Sequence, residues 1–260
     1  MESGTPILEM RGISKSFGQL EAVVGVDLAL KRGEILGLVG DNAAGKSTLM
    51  KLLTGVHRPD RGEVFVEGSR VRIDSPRTAR RLGIEMIYQD FSLAPNLSIS
   101  DNIFLGREFH RSVLGLPMLD RKAMRGIAER VLSQTHIRVD SVQTVVSDLS
   151  GGQQQAVAIA RAVAFDAKIV IMDEPTASLS VNTIPPLLEM MKRLQAGGMS
   201  IIFITHRIQD LFSTCDRVMV LRRGSCVGVA PIGQTSIEEV TGLITGSREA
   251  FGAPVDRREH

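Results

Sequence analysis

The sequence contains very little cysteine and few aromatic residues. Of its 260 residues, two are cysteine, one is tyrosine and none is tryptophan. Cys215 and Cys226 do not stand in a metal-ligand spacing, and two thiols in a chain of this length do not make a disulfide framework. We expect both to be free thiols in a reducing compartment.

Long apolar runs are also absent. None approaches the ~18 residues that a membrane-spanning helix needs. Residues 1–4 carry neither the basic region nor the apolar region of a secretory signal. We therefore expect a cytosolic protein, for which any role at a membrane would need a partner.

Neither sign of charge dominates the chain. The 31 basic and 29 acidic residues give a net charge of +2, and the longest basic clusters, such as Arg80-Arg81, are only pairs. This balance argues against a nucleic-acid partner. The length favours one large domain, or one domain with a subdomain, over two independent folds.

A glycine-rich segment between a predicted strand and a predicted helix is the most informative feature present. The apolar run 35–39 predicts the strand, and residues 48–53 predict a helix that ends at Gly55. Between them lies the pattern G-x-x-x-x-G-K-[ST], which we call the phosphate loop. Its residues are Gly40, Asp41, Asn42, Ala43, Ala44, Gly45, Lys46, Ser47 and Thr48.

Such a loop surrounds the phosphates of a nucleotide with backbone N–H groups and the positive end of a helix. Lys46 would reach the outer phosphates, and the Ser47 hydroxyl would hold Mg²⁺. The flanking strand and helix make a chance match to a glycine turn the weaker interpretation. Ala43 stands where many such loops carry glycine. If this position needs a positive φ, alanine adds strain of about 1 kcal/mol and weakens binding without abolishing it.

Residues 7–13 and 22–30 predict two half-buried strands before this loop, with a turn at Gly18. Phe17 lies at the turn. An aromatic ring there could stack on adenine, although Phe17 is equally well explained as a core side chain.

Three later strands are predicted to end in polar residues. The apolar run 168–172 leads to Asp173, placed to bind Mg²⁺, and to Glu174, placed to polarise an attacking water. His206 follows the run 200–205 and could bond the γ-phosphate or that water. Gln89 follows the run 83–88 and could reach the ligand crevice of a parallel sheet. Taken singly, His206 and Gln89 are better explained as structural and loop residues.

From about residue 91 to residue 144 the pattern is helical, including a predicted helix at 120–132 with Asp120 as N-cap. A Ser-Gly-Gly-Gln segment then precedes a strong helix former, and its free N–H groups could form a second anion-binding surface. Taken alone, this segment is better explained as a helix cap. Its residues are Ser150, Gly151, Gly152 and Gln153.

The order of these motifs along nearly the whole chain resembles that of ATP-binding cassette ATPases. The order is the phosphate loop, Gln89, Leu149-Ser150-Gly151-Gly152-Gln153, Asp173-Glu174 and His206. The segments 88–99, 101–108 and 204–207 are similar to the cassettes of bacterial monosaccharide importers of the ribose, galactose, xylose and fructose type. The length is similar to that of the single-cassette form.

This resemblance implies an α/β fold, namely a P-loop NTPase core with a mostly parallel sheet, an N-terminal antiparallel β-subdomain and an inserted α-helical subdomain. Residues 1–260 would form one nucleotide-binding domain. Within it, 1–90 and 160–245 would be the ATP-binding core, 91–159 the helical subdomain that carries the Ser-Gly-Gly-Gln segment, and 246–260 a loose tail. We call residues 91–159 the inserted segment.

The resemblance further implies ATP and Mg²⁺ as cofactors. Glu174, His206 and Gln89 would be catalytic, and Ser47, Gln89 and Asp173 would surround the metal. The Ser-Gly-Gly-Gln segment would close over ATP held by a second cassette, in a homodimer or a pair with another chain. A multi-span membrane permease and, indirectly, a periplasmic sugar-binding protein would be partners, placing the chain on the inner face of the membrane.

Three residues depart from the family pattern. Besides Ala43, Gln154 replaces a common arginine and Ser180 replaces a common aspartate. Two alternatives stay open. One is a soluble cassette protein acting in DNA repair, translation or cluster assembly, and the other is a regulatory subunit that binds ATP but hydrolyses it slowly.

Overall fold

Twelve strands and eight α-helices form the described part of the chain, which in the computed structural model comprises residues 5–113, 115–133, 139–177 and 179–251. The strands are β1 (Leu8–Phe17), β2 (Leu20–Leu30), β3 (Ile35–Val39), β4 (Arg61–Val66), β5 (Ser69–Val71), β6 (Ile84–Ile87), β7 (His110–Val113), β8 (Leu116–Leu119), β9 (Ile169–Asp173), β10 (Ser200–Ile204), β11 (Arg217–Arg222) and β12 (Ser225–Pro231). The helices are α1 (Lys46–Leu53), α2 (Pro76–Arg81), α3 (Ile99–Phe104), α4 (Arg121–Ser133), α5 (Gly151–Val163), α6 (Ile184–Ala196), α7 (Ile208–Thr214) and α8 (Ile237–Thr245).

The first sheet is antiparallel, with strand order β2-β1-β4-β5. Leu8 pairs with Leu30 on one side and with Val66 on the other, so β1 lies at the centre of the subdomain. The strands predicted at 7–13 and 22–30 and the turn at Gly18 are confirmed. The short strand β5 and the helix α2 carry too few apolar residues to have been predicted.

The second sheet has strand order β12-β11-β3-β10-β9-β6. All neighbouring strands are parallel except the edge pair β11 and β12. Every residue of β3 and β10 is buried. The continuous apolar runs predicted as buried strands are therefore confirmed, because a parallel strand covered on both faces has no polar side.

Alternate side chains of these strands face two different apolar cores. Ile202 and Ile204 pack with α1 and the antiparallel sheet. Ile201 and Phe203 pack with α5, α6, α7 and α8. A third cluster joins α3, α4 and one face of α5. Within the described ranges, no helix has the length and apolar content needed to cross a membrane.

The inserted segment contains a β-hairpin as well as helices. The predicted helix at 120–132 is confirmed as α4, and Asp120 Oδ1 accepts a hydrogen bond from Ala123 N at 3.1 Å. The expectation of an all-helical pattern up to residue 144 is wrong for residues 110–113 and 116–119, where β7 and β8 pair with each other, while residues 114 and 134–138 lie outside the described residues. Pro117 cannot stand inside a regular helix, and the hairpin turns that segment back on itself.

Helix α5 belongs to two cores at once. Ala156, Val157 and Ala160 pack against α3 and α4, whereas Ala158 and Ile159 face the parallel sheet. The predicted boundary between 159 and 160 falls inside this helix and stays a prediction. Of the predicted tail, residues 252–260 lie outside the described residues, while residues 246–251 pack on β12 through Phe251.

Helix α7 lies unusually close to β3. A Cβ added to Gly37 would lie 2.4 Å from Leu211 Cδ2 and 3.1 Å from Cys215 Sγ, so a larger residue would have to displace these side chains. Burial raises the pKa of the Cys215 thiol well above its usual value. Cys215 and Cys226 are both free, as expected.

Candidate functional site

The carboxyl edge of the parallel sheet gathers four of the predicted motifs. β3 leads into the phosphate loop, β9 ends in Asp173, β10 leads to His206 and β6 leads to Gln89. Ile204 pairs with both Leu38 and Asp173, so the strand ends lie side by side. Ligands of open α/β sheets bind at this edge.

The phosphate loop is fixed by close backbone contacts at both ends. Gly40 and Gly45 have φ values of 152° and 95°. A Cβ on Gly40 would lie 2.1 Å from Leu221 O, and one on Gly45 would lie 2.4 Å from Ala22 O. Both positions therefore need glycine, and the loop is enclosed by β11 and β2.

Ala43 does not have the positive φ that would have strained its backbone. The non-glycine residues with positive φ in the described part of the chain are Glu67, Phe91, Ser92, Asp166, Glu174 and Arg223. Ala43 is not among them, so the condition for a backbone penalty is not met. The expected weakening of binding by Ala43 therefore has no basis in the backbone.

Lys46 is a buried cation opposite two carboxylates. Its Nζ donates hydrogen bonds to Gly40 O at 2.5 Å and to Asp41 O at 2.8 Å. Burial lowers the pKa of Lys46, and the negative charges of Glu174 and Asp173 oppose that shift. Burial and the neighbouring Glu174 together raise the pKa of Asp173 above its usual value. A further cation beside Asp173 would stabilise its charged form.

Glu174 occupies a backbone conformation that is rare for a residue with a side chain. Its φ is 48°, and its N–H donates to Ile204 O at 2.9 Å. Such a conformation costs about 1–3 kcal/mol and is concentrated at functional positions. Glu174 Oε2 lies 3.4 Å from His206 Nδ1, and the His206 side chain is 59% exposed. The pair thus meets at the edge of the sheet with one member open to solvent.

The residues around Asp173 fit a magnesium ion that is shared with a nucleotide. Ser47 is exposed at the start of α1, and Ser47 and Asp173 offer the oxygen atoms that Mg²⁺ prefers. Among the described residues, no group of three or more His, Cys, Asp or Glu side chains could hold a metal. Because the described residues alone form no complete metal cage, phosphate oxygens would have to complete the coordination.

Gln89 is exposed in a segment whose position is set by Arg161, a residue that the sequence analysis did not single out. Phe91 and Ser92 follow with φ values of 57° and 46°. Arg161 donates from Nη2 to Phe91 O at 2.9 Å and from Nη1 to Ser92 O at 2.8 Å. The only sequence sign of this role was an arginine within the apolar helix former at 156–164.

The Ser-Gly-Gly-Gln segment forms a capping box at the start of α5. Ser150 Oγ accepts from Gln153 N at 3.4 Å, and Gln153 Oε1 accepts from Ser150 N at 3.0 Å. A Cβ added to Gly151 would meet nothing within 4 Å, and one on Gly152 would meet only Thr183. The segment is thus a helix cap with an open face, and a Cβ added to either glycine would not touch the phosphate loop.

Two further glutamines attach α5 to its surroundings. Gln154 Nε2 donates to the carbonyl oxygens of Val146 and Leu149, both at 3.2 Å. Gln155 is buried and donates to Pro175 O at 3.0 Å, next to Glu174. Gln154, where arginine is common, therefore has a defined structural role here.

Phe17 is not a core side chain, since it is 42% exposed at the end of β1. Its ring lies edge-on to His57 with centroids 5.1 Å apart, and Lys15 Nζ lies 5.5 Å from its centroid. The ring is therefore held in place but open for stacking.

Comparison with known proteins assigns the family. The model of the family described as ABC transporter matches residues 23–177. The chain therefore belongs to the ABC transporter family, whose members carry the ATP-binding cassette.

Two curated relatives are named as sugar importers. The xylose/arabinose import ATP-binding protein XylG of Sulfolobus acidocaldarius is 44% identical over 239 residues, which cover 92% of this chain and 94% of that protein. The ribose import ATP-binding protein RbsA 3 of Rubrobacter xylanophilus is 42% identical over 241 residues, or 93% of this chain. The chain spans only 48% of the length of this ribose protein.

Solved structures share the fold. CbiO1 from Clostridium perfringens, part of the ABC transporter complex cbiONQ, has a TM-score of 0.77 at 24% identity, with 94% of this chain and 96% of that chain covered. The dimeric post-hydrolysis structure of the cassette MJ0796 with ADP and Pi has a TM-score of 0.72 at 24% identity, with coverage of 86% and 98%. The predicted α/β cassette fold is thus confirmed.

Proposed function

We propose that this chain is the ATP-hydrolysing subunit of an importer that carries a monosaccharide through a membrane permease. The observation that carries the proposal is the meeting of Lys46, Asp173 and the Glu174–His206 pair at one edge of the parallel sheet. The importer part is supported by the names of the relatives with more than 40% identity.

In this proposal the phosphate loop binds the triphosphate of ATP, with Lys46 exchanging its carbonyl partners for the outer phosphates. Ser47, Gln89 and Asp173 would hold Mg²⁺, which would neutralise negative charge on the phosphates when bound. Glu174 orients the attacking water and accepts its proton, while His206 Nδ1 holds the Glu174 carboxylate in position. Phe17 stacks on the adenine.

The open face at Gly151 and Gly152 supports a second cassette as partner. Those N–H groups would bind the phosphates of ATP held by another copy of this chain, since a Cβ added to either glycine meets no atom of the phosphate loop of its own chain. The dimer would sit on the inner face of a membrane against a permease, and a periplasmic sugar-binding protein would deliver the substrate to that permease.

The substitution Glu174→Gln tests the chemistry. Loss of the general base should lower the hydrolysis rate by about 10²- to 10⁴-fold while ATP binding is kept, so an ATP-bound dimer should accumulate. Hydrolysis is measured by phosphate release and dimerisation by gel filtration. Glu189→Gln on the exposed side of α6 is the matched control and should hydrolyse ATP normally. Full hydrolysis by Glu174→Gln would remove Glu174 from this role.

Capture of partners from membranes of the host tests the importer assignment. A multi-span permease together with a sugar-binding protein is expected. Recovery of soluble or ribosomal partners alone would favour the cassette proteins of repair or translation. Steady-state turnover with and without the permease separates a working ATPase from the slow regulatory subunit, which would stay slow in both.

A further inference from the structure

The turn between β11 and β12 lies between the phosphate loop and β2 and is hydrogen-bonded to both. Gly224 N donates a hydrogen bond to Ala44 O at 3.1 Å, and Gly224 O accepts one from Val24 N at 2.8 Å. The N–H group of Gly224 is therefore bonded to the phosphate loop, and its carbonyl oxygen is bonded to β2.

The contact is too close for side chains. Gly224 has a φ of 81°, and a Cβ on it would lie 3.1 Å from Ala22 O and 3.3 Å from Ala22 C. A Cβ on Gly45 would lie 2.4 Å from Ala22 O and 3.5 Å from Gly224 Cα. The turn, the phosphate loop and β2 thus meet backbone to backbone, so the turn sets the spacing between β2 and the phosphate loop.

β2 is also the strand that leads away from Phe17. Phe17 and Leu20 are the last pair of the β1–β2 hairpin, and Val23 and Val26 anchor β2 in the core. The distance between the phosphate loop and the Phe17 ring is therefore set through the part of β2 that Gly224 contacts.

We propose that Gly224 is a positioning residue that fixes the span between the phosphate loop and the aromatic ring of Phe17, and so selects ligands that carry both a base and a triphosphate. This inference rests on the proposed ATP function. It assigns to the β11–β12 turn a role in recognising the whole nucleotide rather than the phosphates alone.

The substitution Gly224→Ala should weaken recognition of the base while leaving recognition of the phosphates nearly unchanged. The added Cβ meets the backbone of Ala22 on β2, and the positive φ of Gly224 adds strain. The β1–β2 hairpin, which carries Phe17, should therefore shift relative to the phosphate loop. Loss of base stacking should weaken MgATP binding about 5- to 150-fold. Binding of magnesium tripolyphosphate, which has no base, should change less than about 2-fold. In steady state the KM for ATP should rise while kcat stays within about 2-fold, because the loop keeps its shape.

Gly198→Ala is the matched control. Gly198 has a φ of 92°, and its added Cβ meets nothing within 4 Å, so this variant carries the same kind of backbone strain away from the site. Its binding of both ligands, measured by calorimetry, should equal that of the unmodified chain. If Gly224→Ala does not fold, Gly224→Asn takes its place, since asparagine tolerates a positive φ better than alanine.

A double-mutant cycle completes the test. Phe17→Ala should weaken MgATP binding by itself, and adding Gly224→Ala to it should cost little more, because both act through the same stacking contact. Full additivity, unchanged ATP binding by Gly224→Ala, or an equal loss for ATP and tripolyphosphate would each overturn the positioning role. Failure of the unmodified chain to bind ATP would instead overturn the proposed function, and this inference with it.

Discussion

The phosphate loop and the inserted segment are attached to the parallel sheet in different ways. At the loop, Gly40 and Gly45 press their backbone against Leu221 O and Ala22 O. The start of the inserted segment is instead held by a long polar side chain from outside it, because Arg161 donates hydrogen bonds to the carbonyl oxygens of Phe91 and Ser92. The phosphate loop is thus held by backbone contact, whereas the inserted segment is held by side-chain hydrogen bonds together with the apolar packing of α5.

This difference bears on which region can move. A steric contact of two backbones has no alternative arrangement nearby, so the phosphate loop is built to keep one shape. A side-chain hydrogen bond contributes only about 0.5–1.5 kcal/mol net and can be broken and remade. The contrast favours a rigid phosphate side and an inserted segment that shifts as a unit during the ATPase cycle.

The largest effect is expected from Gly40→Ala. The new Cβ would lie 2.1 Å from Leu221 O, where neither partner is a flexible side chain. We expect a loss of about 3 kcal/mol or more in the free energy of unfolding, together with loss of ATP binding. Urea denaturation and calorimetry measure the two effects. A Gly40→Ala protein with unchanged stability would mean that the loop is less rigid than its contacts indicate.

A smaller and local effect is expected from Asn102→Ala. The Asn102 side chain is fully buried, accepts from Ala94 N at 2.7 Å and donates to the carbonyl oxygens of Ala94, Leu97 and Ser98. Leaving these backbone groups unpaired should cost about 2–3 kcal/mol.

Hydrogen exchange decides whether that loss stays within the inserted segment. Amides at 93–98 should lose protection in Asn102→Ala, while those of the phosphate loop should keep theirs. The exposed Asn182→Ala is the control and should change stability by less than about 0.5 kcal/mol. Equal loss of protection at 93–98 and in the phosphate loop would show that the inserted segment and the phosphate loop do not open independently.

The smallest effect, of opposite sign, is expected from Gly126→Ala. Gly126 is exposed within α4, and an added Cβ would meet nothing within 4 Å. Alanine should raise the free energy of unfolding by about 0.5–1 kcal/mol, because it loses less backbone entropy in a helix. Urea denaturation checks this directly. A lower stability of the Gly126→Ala protein would show that the outer face of α4 makes contacts that an added methyl group disrupts.

The sequence predicted the features that depend on local pattern. The buried strands β3, β9 and β10 follow from continuous apolar runs, and the placement of Asp173 and His206 follows from where those runs end. Sequence alone missed the hairpin of β7 and β8, whose apolar side chains at 116–119 are exposed and give no buried face to recognise.

The missed site residues depend on contacts between distant parts of the chain. Arg161 bonds a carbonyl 69 residues away, and Gly224 bonds Ala44, which is distant in the sequence although both residues adjoin neighbouring strands of the same sheet. Nothing in the residues next to Arg161 or Gly224 specifies these partners. Only the packing of α5 on the sheet and of β11 beside β3 brings them together.

The close approach of α7 to β3 has a practical consequence for following the motions of this protein. Cys215 lies beneath that contact as a protonated thiol, and a protonated, covered thiol does not react with alkylating reagents. Its modification must wait until α7 lifts away from Gly37. In a chain with Cys226→Ser, the rate of Cys215 alkylation therefore measures how often the core behind the phosphate loop opens.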